Sequence, residues 1–162
     1  MKNYFGTEEA EQTIKKYANL IYRIALHNVK NTIDAEDIFQ EVCVALITKK
    51  VPVDNEEHLK HWLIRVTINK CNGFHRSVWQ NRRECLDDYA YLEAPEQKQV
   101  MEELWQLPKN YRNVIYLYYY EEYTIKEIAQ ILGKKVNTVS SHLQRARKKL
   151  KNILIEEEQN NA

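Results

Sequence analysis

The stretch TIKEIAQILGKKVNTVSSHLQRARKKLK, residues 124–151, decides the fold. Apolar residues three and four apart lead up to Gly133, and a longer periodic segment follows that carries seven Lys/Arg and no acid. This pattern predicts a helix-turn-helix whose second helix lies in the DNA major groove. Thr124 and Glu127 fit a capping box, in which each side chain satisfies a free backbone amide at the helix start. Ala129 is small enough for two helices to cross closely, and Gly133 supplies a turn position where positive φ is cheap. Ile125, Ile128, Leu132, Val136, Val139, Leu143 and Leu150 form the expected inward stripe. The other face of the second helix shows Asn137, Ser141, Gln144, Arg145 and Lys148, side chains that can reach base edges and phosphates. Lys134, Lys135, Arg147, Lys149 and Lys151 are placed for the phosphate backbone.

Working outward, the rest of the chain is also helical in pattern. The 162 residues suit one domain or two small ones, with only three Gly and three Pro. Strict apolar alternation is missing, so the fold class is all-α, two small helical domains joined by a linker. Helices are expected over residues 8–29, 34–49, 56–80, 97–106, 109–120, 125–132 and 136–157. Ile14, Tyr17, Ala18, Ile21, Ile24 and Ala25 form the stripe of the first, and Leu59, Trp62, Leu63, Val66 and Cys71 face inward on the third. Asp34 is expected to cap the second helix, with Glu36 and Asp37 in its first turn. The pattern lapses in QNRRECLDDYAYLEAPE, giving domains over 1–80 and 97–162 with a linker over 81–96.

The net charge of +1 conceals segregation: six Lys/Arg and no acid over 60–83, then seven acids and one Lys over 84–103, then the basic block of the helix-turn-helix. Two separate basic blocks suggest two contacts with one polyanion. In the first block basic and aromatic residues interleave (His61, Trp62, Arg65, Lys70, Phe74, His75, Arg76, Trp79), as suits unpaired bases, although Trp62 reads more readily as core. Gly73 either admits a close backbone approach or is a tolerated defect in that helix.

Three cysteines without disulfide-rich spacing, a polar N-terminus and short apolar runs give a cytoplasmic expectation with no direct membrane insertion. Cys71 with His75 and His58 with His61 have helical ligand spacing, but no CxxC or HExxH accompanies them, so no metal and no cofactor is assigned. No arrangement points to catalysis, and the chain is read as not an enzyme.

DAEDIFQEV at 34–42, WLIRVTINK at 62–70, and LPKNYRNVIYL followed by the helix-turn-helix occur in this order. Together they resemble a bacterial sigma factor of the extracytoplasmic function (ECF) group over residues 17–151. The resemblance implies a promoter-specificity subunit of core RNA polymerase. Asp34, Asp37, Gln40 and Glu41 would then dock on the β′ clamp helices, and the C-terminal domain would meet the β flap. Arg65, Asn69, Lys70 and Arg76 would serve the −10 element, with the loop 49–57 walling the pocket for a flipped base. Asn137, Thr138, Ser140, Ser141, Gln144, Arg145 and Lys148 would read the −35 element of promoter DNA. An anti-sigma factor is a further partner implied by the group. Lys135 and Asn137 stand where the group has Ser and Gly, which leaves the recognition helix a poor N-cap. An autonomous helix-turn-helix regulator is the alternative, and would bind its operator without polymerase.

Overall fold

The computed structural model describes residues 7–48, 55–78 and 102–161. The expected linker, Arg76's side chain, Trp79 and loop residues 49–54 lie outside that set. The chain divides into two compact units, Met1–Asp88 and Tyr89–Ala162. No described helix is long and apolar enough to cross a membrane.

The first unit holds α1 (Thr7–Val29), α2 (Thr32–Thr48) and α3 (Glu56–Val78), each packed on the other two. Between two partners, α1 buries more than a single stripe. Leu20, Leu26 and Val29 join Tyr17, Ile21, Ile24 and Ala25 in the core, while Ile14 and Ala18 are half-buried. On α3, Leu59, Leu63 and Cys71 are buried as expected, and Ile64, Thr67 and Ile68 with them, but Trp62 and Val66 are only half-buried. Burial pushes the Tyr17 phenol above its ordinary range, and the Glu56 carboxylate that accepts its hydroxyl adds to the effect. Lys16 donates to the same Glu56 oxygen, joining the start of α3 to α1.

The turn between α1 and α2 corrects one expectation. Lys30 adopts a left-handed φ of 65° and donates its amide to the Leu26 carbonyl at 2.9 Å. The reversal brings Asn31, not Asp34, to the cap of α2: the Asp34 amide donates to Asn31 Oδ1 at 2.8 Å. Asn31 Nδ2 donates back to Asp34 Oδ2 at 2.7 Å, and Asn31 is buried. Asp34 therefore sits inside the first turn, where an acid complements the helix dipole.

The second unit contains helical residues 102–105, α4 (Lys109–Ile115), α5 (Ile125–Leu132) and α6 (Val136–Asn160). The expected helix over 109–120 is α-helical only to Ile115 and continues as a π-helical turn, Tyr116–Tyr120. Arg112 to Leu117 are all buried, which makes this the central helix of the unit. Arg112 donates through Nη1 to the carbonyls of Trp105 and Leu107, both at 3.2 Å, and so satisfies acceptors at the preceding helix end. α6 packs on α4 and α5.

Gly73 has nothing within 4 Å of where a Cβ would sit, so it admits no close approach. Gly73→Ala is accordingly expected to stabilise the chain by about 0.5–1 kcal/mol. Asn31→Ala, which strips a buried cap, is expected to cost about 1–2 kcal/mol. Urea unfolding of the two variants checks both signs.

Candidate nucleic-acid interface

The helix-turn-helix is set by local chemistry at both ends of α5. Thr124 Oγ1 accepts the Glu127 amide at 3.1 Å. The reciprocal half of the expected box differs: the Glu127 carboxylate accepts the Thr124 hydroxyl at 3.0 Å rather than its amide. At the other end Gly133 is left-handed (φ 66°, ψ 36°). Lys134 donates to Ala129 O at 2.9 Å and Gly133 to Gln130 O at 3.4 Å, the paired bonds of a Schellman turn. Lys135 then leads into α6 without a side-chain cap bond, as expected from its residue type.

On α6, Val139, Leu143 and Ala146 are buried. Asn137, Ser141, Gln144, Arg145 and Lys148 are all exposed, and Thr138 and Ser140 are half-buried beside them. Each of the exposed five has another of them three or four residues away, so they share one face of the helix. One reading needs correction. Val136, expected in the inward stripe, is 48% exposed, and Ile131 is buried in α5 instead. Arg147 is exposed and also touches aromatic rings of its own unit: its Nε donates to the Tyr119 hydroxyl at 2.6 Å, and its guanidinium lies 5.2 Å from the Tyr118 ring centre and 5.5 Å from that of Tyr119. Lys149 similarly lies 5.7 Å from the centre of the Tyr111 ring. These π contacts were not legible in the sequence, because they depend on how the central helix and its π-helical extension aim their tyrosines at α6.

The first unit carries a second polar surface. Arg65 and Asn69 are exposed on α3, and Lys70 is half-buried. Lys70 shares an open groove between α2 and α3 with Asp37, Gln40, Glu41, Val44 and Phe74. A residue expected on the DNA side thus borders those expected on the polymerase side. Asp37, Gln40 and Glu41 are exposed on α2, while Asp34 is half-buried and engaged by Asn31. The sequence reading missed Ile33, Val44 and Ile47, which are 70%, 58% and 49% exposed on α2. With Asp37 and Gln40 they complete a 33–37–40–44–47 series, a heptad-like seam that the residue spacing already contained. His61, weighed above as a ligand, has Nε2 against the Glu57 carboxylate at 2.9 Å.

His142 stands behind the reading face, its ring 5.5 Å from that of Tyr111. Its Nδ1 is buried without a hydrogen-bond partner among the described residues. Burial, then the nearby Lys134 and Arg145 charges, push its pKa below the ordinary 6.5. As pH falls below that value the unfolded chain takes up the proton more readily than the folded one, so stability falls. Thermal unfolding is expected to drop more between pH of about 7.5 and about 5.5 in the native chain than in His142→Gln. Parallel curves would remove His142 from that account.

Two family models match: Sigma-70 region 2 over residues 13–81 and Sigma-70 region 4 over residues 97–150. RNA polymerase sigma factor SigV of Bacillus subtilis is 31% identical, covering 85% of this chain and 86% of its own. ECF RNA polymerase sigma factor SigM of the same organism is 29% identical over 87% and 92%. Two solved structures share the fold. One is the sigma factor RpoE bound to the anti-sigma factor NepR from Bartonella quintana (TM-score 0.73, 20% identity, 89% of this chain and 95% of that one). The other is CnrH in complex with the cytosolic domain of CnrY (TM-score 0.71, 25% identity, 93% and 90%).

Proposed function

The chain belongs to the sigma-70 family as an ECF sigma factor, a non-catalytic subunit that directs RNA polymerase to promoter elements, and we propose that its two units divide this work between them. The second unit reads the −35 element through Asn137, Thr138, Ser140, Ser141, Gln144, Arg145 and Lys148. An Arg can bond a guanine in two places and Gln or Asn an adenine, which gives the row its sequence content. The first unit serves the −10 element through Arg65, Asn69, Lys70 and Arg76. Taking a base out of the stack costs a few kcal/mol, and phosphate contacts together with a pocket for the base offset that cost.

The α2 seam docks on the β′ clamp helices. Its composition supports this: Ile33, Val44 and Ile47 supply apolar area, while Asp37 and Glu41 supply charge for basic partner residues. On the second unit, Ile115, Tyr119, Leu150, Leu154 and Ile155 line a groove suited to the apolar tip of the β flap. An anti-sigma factor completes the partner set, in keeping with the complex formed by the Bartonella relative. Such a protein silences the chain by covering surfaces needed for polymerase and DNA.

One observation carries the division of labour. The apolar, acidic seam lies on α2, whereas the exposed polar and basic rows lie on α3 and α6. In vitro transcription with purified core enzyme and a promoter library tests the reading and reveals both elements. Arg145→Ala is expected to reduce promoter-specific transcription about 10- to 100-fold with core binding intact. Asp37→Ala and Gln40→Ala are expected to weaken core binding instead. Loss of core binding in Arg145→Ala would refute the division.

A further inference from the structure

The exposed start of α6 is not explained by core packing or by the polar reading row. Val136 is 48% exposed, whereas Val139, three residues on, is fully buried. Its side chain therefore points out of the unit, into an open groove between the starts of α5 and α6. Tyr118, Glu122, Thr124, Lys126, Asn137 and Ser140 line the same groove, with the Glu122 carboxylate its one acid among the described residues. It is the apolar side chain at the position from which a recognition helix reaches base edges most directly.

The surroundings favour DNA as the occupant. Lys126 and Lys135 are exposed at the starts of the two helices. Lys135 leaves α6 without a side-chain cap, so the first amides of this 25-residue helix are available to a phosphate. A phosphate held there would bring the adjoining base edges within reach of Val136. In the major groove the apolar feature of a base edge is the thymine 5-methyl group.

We propose that Val136 reads the 5-methyl group of a thymine in the −35 element. The inference rests on the assignment of −35 reading to the second unit. It makes Val136 a specificity determinant that acts by van der Waals contact beside the hydrogen-bonding row of Asn137, Ser141, Gln144 and Arg145.

The test uses holoenzyme and a promoter recovered from the transcription screen. Each −35 thymine, on either strand, is replaced singly by deoxyuridine, which keeps base pairing and removes only the methyl. At one position holoenzyme binding is expected to weaken about fourfold, the equivalent of one buried methyl-sized group at ~0.8 kcal/mol. That discrimination should vanish in Val136→Ala and persist in Val136→Ile. Uracil accepted at every position, an element without thymine, or an equal penalty in Val136→Ala would overturn the proposal. Scrambling the −35 element in parallel separates the two levels. If scrambling leaves binding unchanged, −35 reading by this unit fails and the proposal with it. If scrambling weakens binding but uracil does not, only the Val136 contact is lost.

Discussion

The burial of Val139, Leu143 and Ala146 is the constraint on which the proposed DNA-reading surface depends. A helix has one rotational setting in which these three leave water together. Fully burying a Val or Leu side chain is worth about 1.5–3 kcal/mol, so rotating α6 off its seat on α4 and α5 is strongly disfavoured. That setting turns Asn137, Ser141, Gln144, Arg145 and Lys148 outward as a row. The left-handed Gly133 and its paired turn bonds then fix where α6 begins relative to α5. The row is thus set by the fold itself, so under the proposed reading little ordering entropy would remain to oppose DNA binding.

Charge on α6 is not all equivalent. The basic block over 134–151 holds seven Lys/Arg, but Arg147 and Lys149 lie against aromatic rings of the central helix and its π-helical extension. Cation–π contacts of this kind contribute about 0.5–1 kcal/mol at exposed sites. Tyr118 and Tyr119 of the YLYYY run consequently act as partners for α6, whereas Tyr116 is buried in the core. The π-helical turn matters here because one wider turn changes the direction in which successive residues point.

In the first unit a single helix is apolar on two sides. α2 buries Ala35, Ile38, Val42, Ala45 and Leu46 within its own unit and leaves Ile33, Val44 and Ile47 in water. A helix apolar on both sides is ordinarily buried on both sides. The exposed side therefore leaves apolar area in water in the free chain, which is what the proposed docking on polymerase would cover. The buried Asn31 and its exchange of hydrogen bonds with Asp34 hold the start of this helix in place. The exposed apolar face is thereby presented on a fixed element.

By itself the sequence determined the all-helical class, the helix-turn-helix, its Thr124 and Gly133 boundaries, and the polar row of α6. Those features rest on short-range periodicity, caps and turn chemistry, which a window of a few residues contains. Tertiary structure decided which apolar residues are left over. Val136, expected inward, is exposed, Ile131 outside the expected stripe is buried, Trp62 is only half-buried, and Ile33, Val44 and Ile47 face water although their residue types favour burial. It also decided that Asn31 caps α2, because only the left-handed turn at Lys30 brings it there. Burial depends on how many neighbours a helix meets and from which sides, and those neighbours lie far away in the sequence.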